Sequence, residues 1–418
     1  MGIPIALAKD LSDLYSNIDS DTKHSFIDLF MKIGNNRVAE TVALPPKNDV
    51  SISKLLVGNK SEMDILKEEV LDFYKAMDPE MYEVAMAILT GKNPNFGIVF
   101  FDPNDERFSN LKKISPCITT TDEANLPYQV EQQNIVCVPI EGYGTETQHI
   151  SMDDIFILAH ELAHAMGYTF SSNVPYLGKI DSNPKAVSGV VFGETDSKVI
   201  EVQVGKFLLE KYPDVDESVR SEIKRHLIKS FIKDSVLEAR ESFIKLGIGS
   251  GEYQNSEGDL GDDELDVVCS SMGVGKDFLE RQVDNMSKRG SFSGRDHLKY
   301  LMGDLIAVSM SPRSYVEVAQ ALKGYWKGCK GETSIGDKLA AFGIGEPIVN
   351  NLYNGYEAYA MSWRSAEVNK VSGSIAIRKN DIKGMANNPK VSLEKVYAQQ
   401  VVGEAIATRG IEIQEEKK

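Results

Sequence analysis

The sequence feature that most constrains the fold is a helical pattern over residues 151–166. Apolar side chains recur at helical spacing along one side of this segment, at Ile155, Leu158, Leu162, Ala165 and Met166. Ser151 and Asp154 resemble an N-terminal capping box, and Gly167 follows the last apolar position, where glycine commonly ends a helix. The pattern predicts an amphipathic helix that ends near Gly167 and packs one face against the core.

The other side of this predicted helix carries metal-ligating side chains in the run His160-Glu161-Leu162-Ala163-His164. Side chains at i and i+4 project from the same face, so both imidazoles can reach one metal ion while Glu161 lies beside it. Zn²⁺ binds imidazole nitrogens, and a catalytic zinc takes three protein ligands and keeps one position for water. The pattern predicts one Zn²⁺ per chain, with Glu161 as the general base.

The chain resembles the zincin metallopeptidases in the stretch HELAHAMGY, which starts at His160, within residues 134–212. The resemblance implies a small mixed sheet over the histidine-bearing helix, a second helix that supplies the third ligand, and hydrolysis of peptide bonds in a protein or peptide substrate. The order of patterns agrees, because strand-like runs at 96–101 and 134–140 precede the helix and a helical pattern at 193–212 follows it. In such a peptidase, the strand at 134–140 could offer its edge to an extended peptide.

Three acidic residues are candidates for the third metal ligand. Resemblance to the gluzincins favours Glu194, which opens the next predicted helix and has the small Ser197 three residues later, although Lys198 stands where that family often has Asp or Asn. Asp196 is an alternative, because Gly-Glu-Thr-Asp is similar to the Gly-Thr-x-Asp stretch of aspzincins. Glu357 is another, because Tyr-Glu-Ala-Tyr-Ala resembles a ligand-bearing helix of some toxin-type zincins.

A catalytic site of this kind also needs a donor that stabilises the tetrahedral oxyanion. The aromatic and imidazole side chains downstream of the motif offer three candidates: Tyr168, Tyr176 and His226. The sequence does not choose between them, since each can also pack or lie at the surface.

The chain as a whole is predicted to be an α+β protein in which a zincin-like domain lies between mainly helical regions. Residues 1–95 and 264–418 carry helical periodicity, with helices expected at 62–77, after Asp78-Pro79 to near Gly91, and around 297–308, 314–325 and 391–408. Residues 96–246 combine strand and helix patterns. Residues 247–263 are rich in glycine and acidic residues, which predicts a linker and a domain boundary.

Composition narrows the partners of this chain. Its 46 Lys and Arg against 62 Asp and Glu give a net charge of −16, which disfavours nucleic-acid binding. Apolar runs fall short of the about 20 residues that a membrane span requires. The N-terminus lacks a signal-peptide pattern, and the four cysteines have no CxxC spacing, so we expect a reducing, cytoplasmic location. Delivery into a host cell by a specialised secretion system is the alternative.

A second function fits the same residues, namely a non-catalytic zincin-like interaction or scaffold protein with a structural metal. Structural zinc sites are usually closed by four protein ligands, whereas catalytic sites leave one position open. Asp196 joining Glu194 as a fourth ligand would therefore favour the scaffold, and three ligands would favour the enzyme.

Overall fold

The computed structural model describes residues 20–55, 60–114, 117–171, 191–250, 294–328 and 333–371, together with residues 266, 269–270 and 274–277. The described chain mixes α and β structure and is mostly helical, with a small three-stranded sheet, which confirms the expected α+β class. Tyr176, residues 251–263 of the predicted linker and a helix expected at 391–408 lie outside the described residues.

In the described part of the chain, four α-helices precede the sheet: α1 (Ser20–Gly34), α2 (Arg37–Thr41), α3 (Glu62–Met77) and α4 (Pro79–Leu89). The side chain of Ser61 caps α3 by accepting a hydrogen bond from the backbone N–H of Asp64. Asp78 caps α4 in the same way, and Pro79 occupies its first turn, where a missing N–H costs nothing. Short polar caps at helix starts thus explain why the predicted N-terminal helices begin where they do.

The sheet contains β1 (Phe96–Phe101), β2 (Cys117–Thr120) and β3 (Asn134–Pro139), in the order β1–β3–β2. Between β1 and β3 the chain also forms the short helices α5 (Ser109–Ile114) and α6 (Thr121–Ala124). β3 pairs in parallel with β1 and antiparallel with β2, so both of its edges are occupied. The expectation that the strand at 134–140 offers an edge to a peptide is therefore wrong. Among the described strands, none pairs with the outer edge of β2.

Helix α7 (Met152–Ser171) carries both histidines of the motif and continues past its predicted end. Gly167 lies inside α7, so the expectation that it ends the helix is wrong. A Cβ atom at this position would lie 2.7 Å from Oδ2 of Asp196 and 2.9 Å from Nε1 of Trp326. Glycine is required here because two side chains approach the helix backbone closely.

In the described parts of the chain after α7, the secondary structure is helical, with turns and loops between the helices. α8 (Thr195–Lys211) and α9 (Glu217–Ile228) are followed by a π-helical turn and then by α10 (Ser235–Ser250). The C-terminal part contains α11 (Gly294–Met310), α12 (Tyr315–Gly328), α13 (Ile335–Ala341) and α14 (Ile348–Val371). Helices expected around 297–308 and 314–325 are confirmed by α11 and α12, and α10 extends four residues into the predicted linker.

A single large cluster of buried apolar side chains extends from Phe26 in α1 to Ala360 in α14 and includes the core face of α7. Alternation along the strands directs Phe96 and Val136 into this cluster, while Phe101 and Ile135 pack into a smaller one on the other face of the sheet. None of the described helices has the length and apolar character to cross a membrane. The helix that carries His160 and His164 is thus supported by a core to which both ends of the described chain contribute.

We expect Gly167→Ala to destabilise the protein by about 1–3 kcal/mol, the usual cost of overpacking. This cost exceeds the gain of about 1 kcal/mol that alanine brings to a helix interior. The measurement is urea unfolding, with Gly324→Ala in α12 as the control, because a Cβ at Gly324 meets nothing within 4 Å. Equal stabilisation of both variants would show that α7 is not closely approached at Gly167.

Candidate metal centre

Two elements bring three potential metal ligands together. His160 and His164 lie one turn apart on α7, and Glu194 occupies the position immediately before α8. Glu194 is the N-cap residue of α8, yet its side chain makes no capping hydrogen bond, so its carboxylate is available to the histidines. Nε2 of His160 lies 3.2 Å from Nε2 of His164, and each of these nitrogens lies 3.2 Å from Oε2 of Glu194.

This spacing fits a tetrahedral zinc ion. Zinc–nitrogen and zinc–oxygen bonds of about 2.0–2.1 Å place neighbouring ligand atoms about 3.3 Å apart. The three ligand atoms form a group that could hold a metal ion, and two imidazoles with one carboxylate are a donor set that zinc uses in catalytic sites. His160, His164 and Glu194 therefore fit the predicted metal in both chemistry and spacing.

The outer nitrogen of each imidazole contacts a carboxylate. Nδ1 of His160 lies 2.5 Å from Oε1 of Glu201, and Nδ1 of His164 lies 3.2 Å from Oδ1 of Asp196. A carboxylate in this position accepts the Nδ1–H and thereby directs the lone pair of Nε2 toward the metal. Both histidines are thus held in the tautomer and orientation that a metal ligand requires.

The two carboxylates are themselves held by neighbouring side chains. Asp196 accepts a hydrogen bond from Nε1 of Trp326 at 3.1 Å, so α12 helps to orient His164. Glu201 contacts Nζ of Lys198 at 3.4 Å and Nε2 of His226 at 3.3 Å. The carboxylate that contacts His160 comes from Glu201, about one turn after Lys198 on α8.

We expect Asp196→Asn and Glu201→Gln each to weaken zinc binding by about 10–100-fold, the usual effect of losing a partner of a ligating histidine. The measurement is competition with a chromophoric chelator. Glu210→Gln is a suitable control, since Glu210 lies on the same helix and its carboxylate accepts a hydrogen bond from Tyr315 at the surface. Zinc affinities equal to that of the control would contradict the orienting role.

Glu161 lies beside the three ligand atoms and is buried, with 3% of its surface exposed. Its Oε1 is 3.9 Å from Nε2 of His160, and its Oε2 has no hydrogen-bond partner among the described residues. Burial raises the pKa of Glu161 because the charged form is poorly solvated. An unpaired buried carboxylate is costly, so packing alone does not account for a glutamate at this position.

The charges around the histidines leave room for a divalent cation. The carboxylates are those of Glu161, Glu194, Asp196 and Glu201, and the ammonium groups that contact them are those of Lys198 and Lys299. Among the described residues, carboxylates therefore outnumber the ammonium groups when the imidazoles are neutral, and Lys198 is also shared with Asp304 at 3.6 Å, which leaves an excess of negative charge. A divalent cation would neutralise this excess.

Protons compete with a cation for the same nitrogens. Burial lowers the pKa of His160, but hydrogen bonds with Glu194 and Glu201 outweigh it and raise that pKa to about 9. Burial also lowers the pKa of His164, but the carboxylates of Asp196 and Glu194 outweigh this effect and raise that pKa above its usual value. Burial raises the pKa of Glu194, yet its contacts with the two histidines hold it well below the usual value. A metal that binds here therefore displaces protons from imidazole.

The structure places the remaining predicted site residues away from the three ligand atoms. Asp196 contacts the far nitrogen of His164, and Glu357 lies on α14, where it accepts a hydrogen bond from Tyr353. Tyr168 stacks against Phe96 of β1 with ring centroids 6.4 Å apart. His226 is held between two carboxylates, with Nδ1 3.1 Å from Asp153 and Nε2 3.3 Å from Glu201, so both of its nitrogens are engaged.

Sequence reasoning missed Glu201, Trp326 and Lys299. The sequence contains only weak evidence for Glu201, namely that it lies seven residues after Glu194 and so on the same face of a helix. It contains no evidence for Trp326 and Lys299, since they reach the site from α12 and α11 through tertiary packing.

No protein-family model, curated protein or solved structure gives a significant match to this chain. The described features define an α+β protein with a candidate metal centre of two histidines and one glutamate.

Proposed function

We propose that the protein is a zinc-dependent metalloendopeptidase with a zincin-like domain, which hydrolyses peptide bonds in protein substrates. The observation that carries this proposal is the equal spacing of 3.2 Å among Nε2 of His160, Nε2 of His164 and Oε2 of Glu194. The buried carboxylate of Glu161 beside these atoms supplies the base that hydrolysis requires.

The chain's own residues would divide the work as follows. His160, His164 and Glu194 would hold the zinc ion, which when bound lowers the pKa of water to about 7 and polarises a carbonyl. Glu161 would accept a proton from the attacking water and return it to the leaving nitrogen. Burial raises the pKa of Glu161, which makes its carboxylate a stronger proton acceptor than an exposed one.

The enzyme is favoured over the scaffold by the position of Asp196. This carboxylate, which would close the site as a fourth ligand, contacts Nδ1 of His164 on the far side of the ring. Among the described residues, the group of converging ligands contains two histidines and one glutamate. Three ligands leave a position for water, as in catalytic zinc sites.

The test is elemental analysis of the purified chain, together with digestion of a diverse peptide library read by mass spectrometry. We expect about one zinc per chain, cleavage that stops when a chelator removes the metal, and recovery when zinc is returned. Stoichiometric zinc without cleavage of any peptide would favour the scaffold. A chain that binds no zinc even when zinc is supplied would overturn the proposal.

A further inference from the structure

The metal centre contacts a helix that comes from the C-terminal part of the chain. α11 approaches the start of α8 at Gly303, where a Cβ atom would lie 2.9 Å from the carbonyl oxygen of Glu194. One turn earlier on α11, Nζ of Lys299 lies 2.7 Å from Oε1 of Glu194. The close approach at Gly303 and the contact of Lys299 therefore involve the same residue, a proposed metal ligand.

The two carboxylate oxygens of Glu194 have different partners. Oε2 faces the Nε2 atoms of both histidines at 3.2 Å and lies 3.2 Å from Oγ of Ser197. Oε1 faces the ammonium group of Lys299. An ammonium–carboxylate hydrogen bond is charge-assisted and directional enough to restrain rotation of a carboxylate.

We propose that Lys299 is a positioning residue that holds Glu194 to metal binding through one oxygen, an inference that rests on the proposed metal centre. A carboxylate that bound with both oxygens would occupy the position that water needs. By engaging Oε1, Lys299 keeps that position open. A residue of α11 thus controls the number of ligands that Glu194 supplies.

The sign of the electrostatic effect makes this role testable. Removing the ammonium group lowers the positive charge near the metal, so loss of Lys299 presents no new charge repulsion to a cation. Lys299→Met should therefore still bind metal, but with Oε1 free to become an additional ligand. The expected change lies in the coordination of the metal.

The experiment uses cobalt(II) added to the full-length, metal-free protein and followed by visible absorption. Five-coordinate cobalt absorbs more weakly than tetrahedral cobalt, so we expect the absorption per bound cobalt to fall by about half or more in Lys299→Met. Lys299→Arg keeps the cation and should retain the wild-type spectrum. Lys323→Met is the matched control, because Nζ of Lys323 is paired with Asp78 at 3.0 Å, away from the metal ligands.

The outcomes separate this inference from the proposed function. Unchanged spectra in folded Lys299→Met and Lys299→Ala would overturn the role of Lys299 and leave the metal centre intact. Loss of cobalt binding by a folded Lys299→Met, with Lys323→Met unaffected, would also overturn it, because removal of the ammonium group should leave the metal bound. If Lys299→Met does not fold, Lys299→Ala, which also removes the donor to Oε1, takes its place. Failure of the wild type to bind cobalt or zinc would overturn the metal centre itself.

Discussion

Glu161→Gln is expected to keep its zinc and to lose peptide cleavage by about 10²–10⁴-fold, the contribution that a positioned acid–base group usually makes. Glutamine has the same shape as glutamate but cannot accept the proton of an attacking water. The three ligand atoms lie on other residues, so metal content should not change. The measurements are kcat/KM on a cleaved peptide and zinc per chain by elemental analysis.

The same substitution should not destabilise the fold. Oε2 of Glu161 has no hydrogen-bond partner among the described residues, and burial disfavours its charge. Removing that charge relieves a desolvation cost. Glu69→Gln is the contrasting control, because the equally buried Glu69 accepts hydrogen bonds from Lys211 at 3.0 and 2.9 Å. We expect Glu69→Gln to lose about 1–3 kcal/mol of stability while retaining cleavage.

Two results would contradict the role of Glu161. Cleavage by Glu161→Gln at the wild-type rate would show that another group accepts the proton. Loss of both zinc and cleavage in Glu161→Gln would show that Glu161 supports metal binding. The loss of activity would then not be due to missing acid–base chemistry.

Glu194→Gln is expected to weaken zinc binding by more than about 100-fold, beyond the cost of losing a partner of a ligating histidine. The substitution removes the anionic oxygen that faces both imidazoles at 3.2 Å. It also removes one of the negative charges that a divalent cation would neutralise. Chelator competition measures the affinity, and cleavage should fall in proportion to metal occupancy.

Glu357→Gln is the matched control for this prediction. Glu357 was a candidate third ligand from the sequence, but its carboxylate accepts a hydrogen bond from Tyr353 on α14 at 3.0 Å. Glu357→Gln should keep wild-type zinc affinity and cleavage. If Glu194→Gln retained zinc while Glu357→Gln lost it, the assignment of the third ligand would be reversed.

The helices and the histidine pair were accessible from the sequence because both depend on short-range geometry. Helical periodicity predicted α3, α4, α11 and α12, and the spacing of His160 and His164 placed both imidazoles on one face of α7. The ends of helices were harder to predict. A glycine often ends a helix, but Gly167 lies within α7. The glycine is needed there because Asp196 and Trp326 approach the helix backbone closely.

In the sheet, too, local structure was predictable and tertiary pairing was not. The residues at 96–101 and 134–140 identified both segments as strands, but they did not show which strands would be neighbours in the sheet. The short β2 pairs with β3 and converts a predicted edge strand into a central one. Pairing depends on contacts between distant segments, which alternation within one strand does not specify.

The sequence by itself determined the helix of the metal-ligating motif, the two histidines, the adjacent Glu161 and the α+β class, because each follows from spacing within one element. Only the tertiary structure favours Glu194 over Asp196 and Glu357 as the proposed third ligand, since its carboxylate oxygen is the one that faces both Nε2 atoms. It also brought Glu201, Trp326 and Lys299 to the site. Their roles arise from the packing of α8, α11 and α12 around α7, and no local pattern encodes distances between helices.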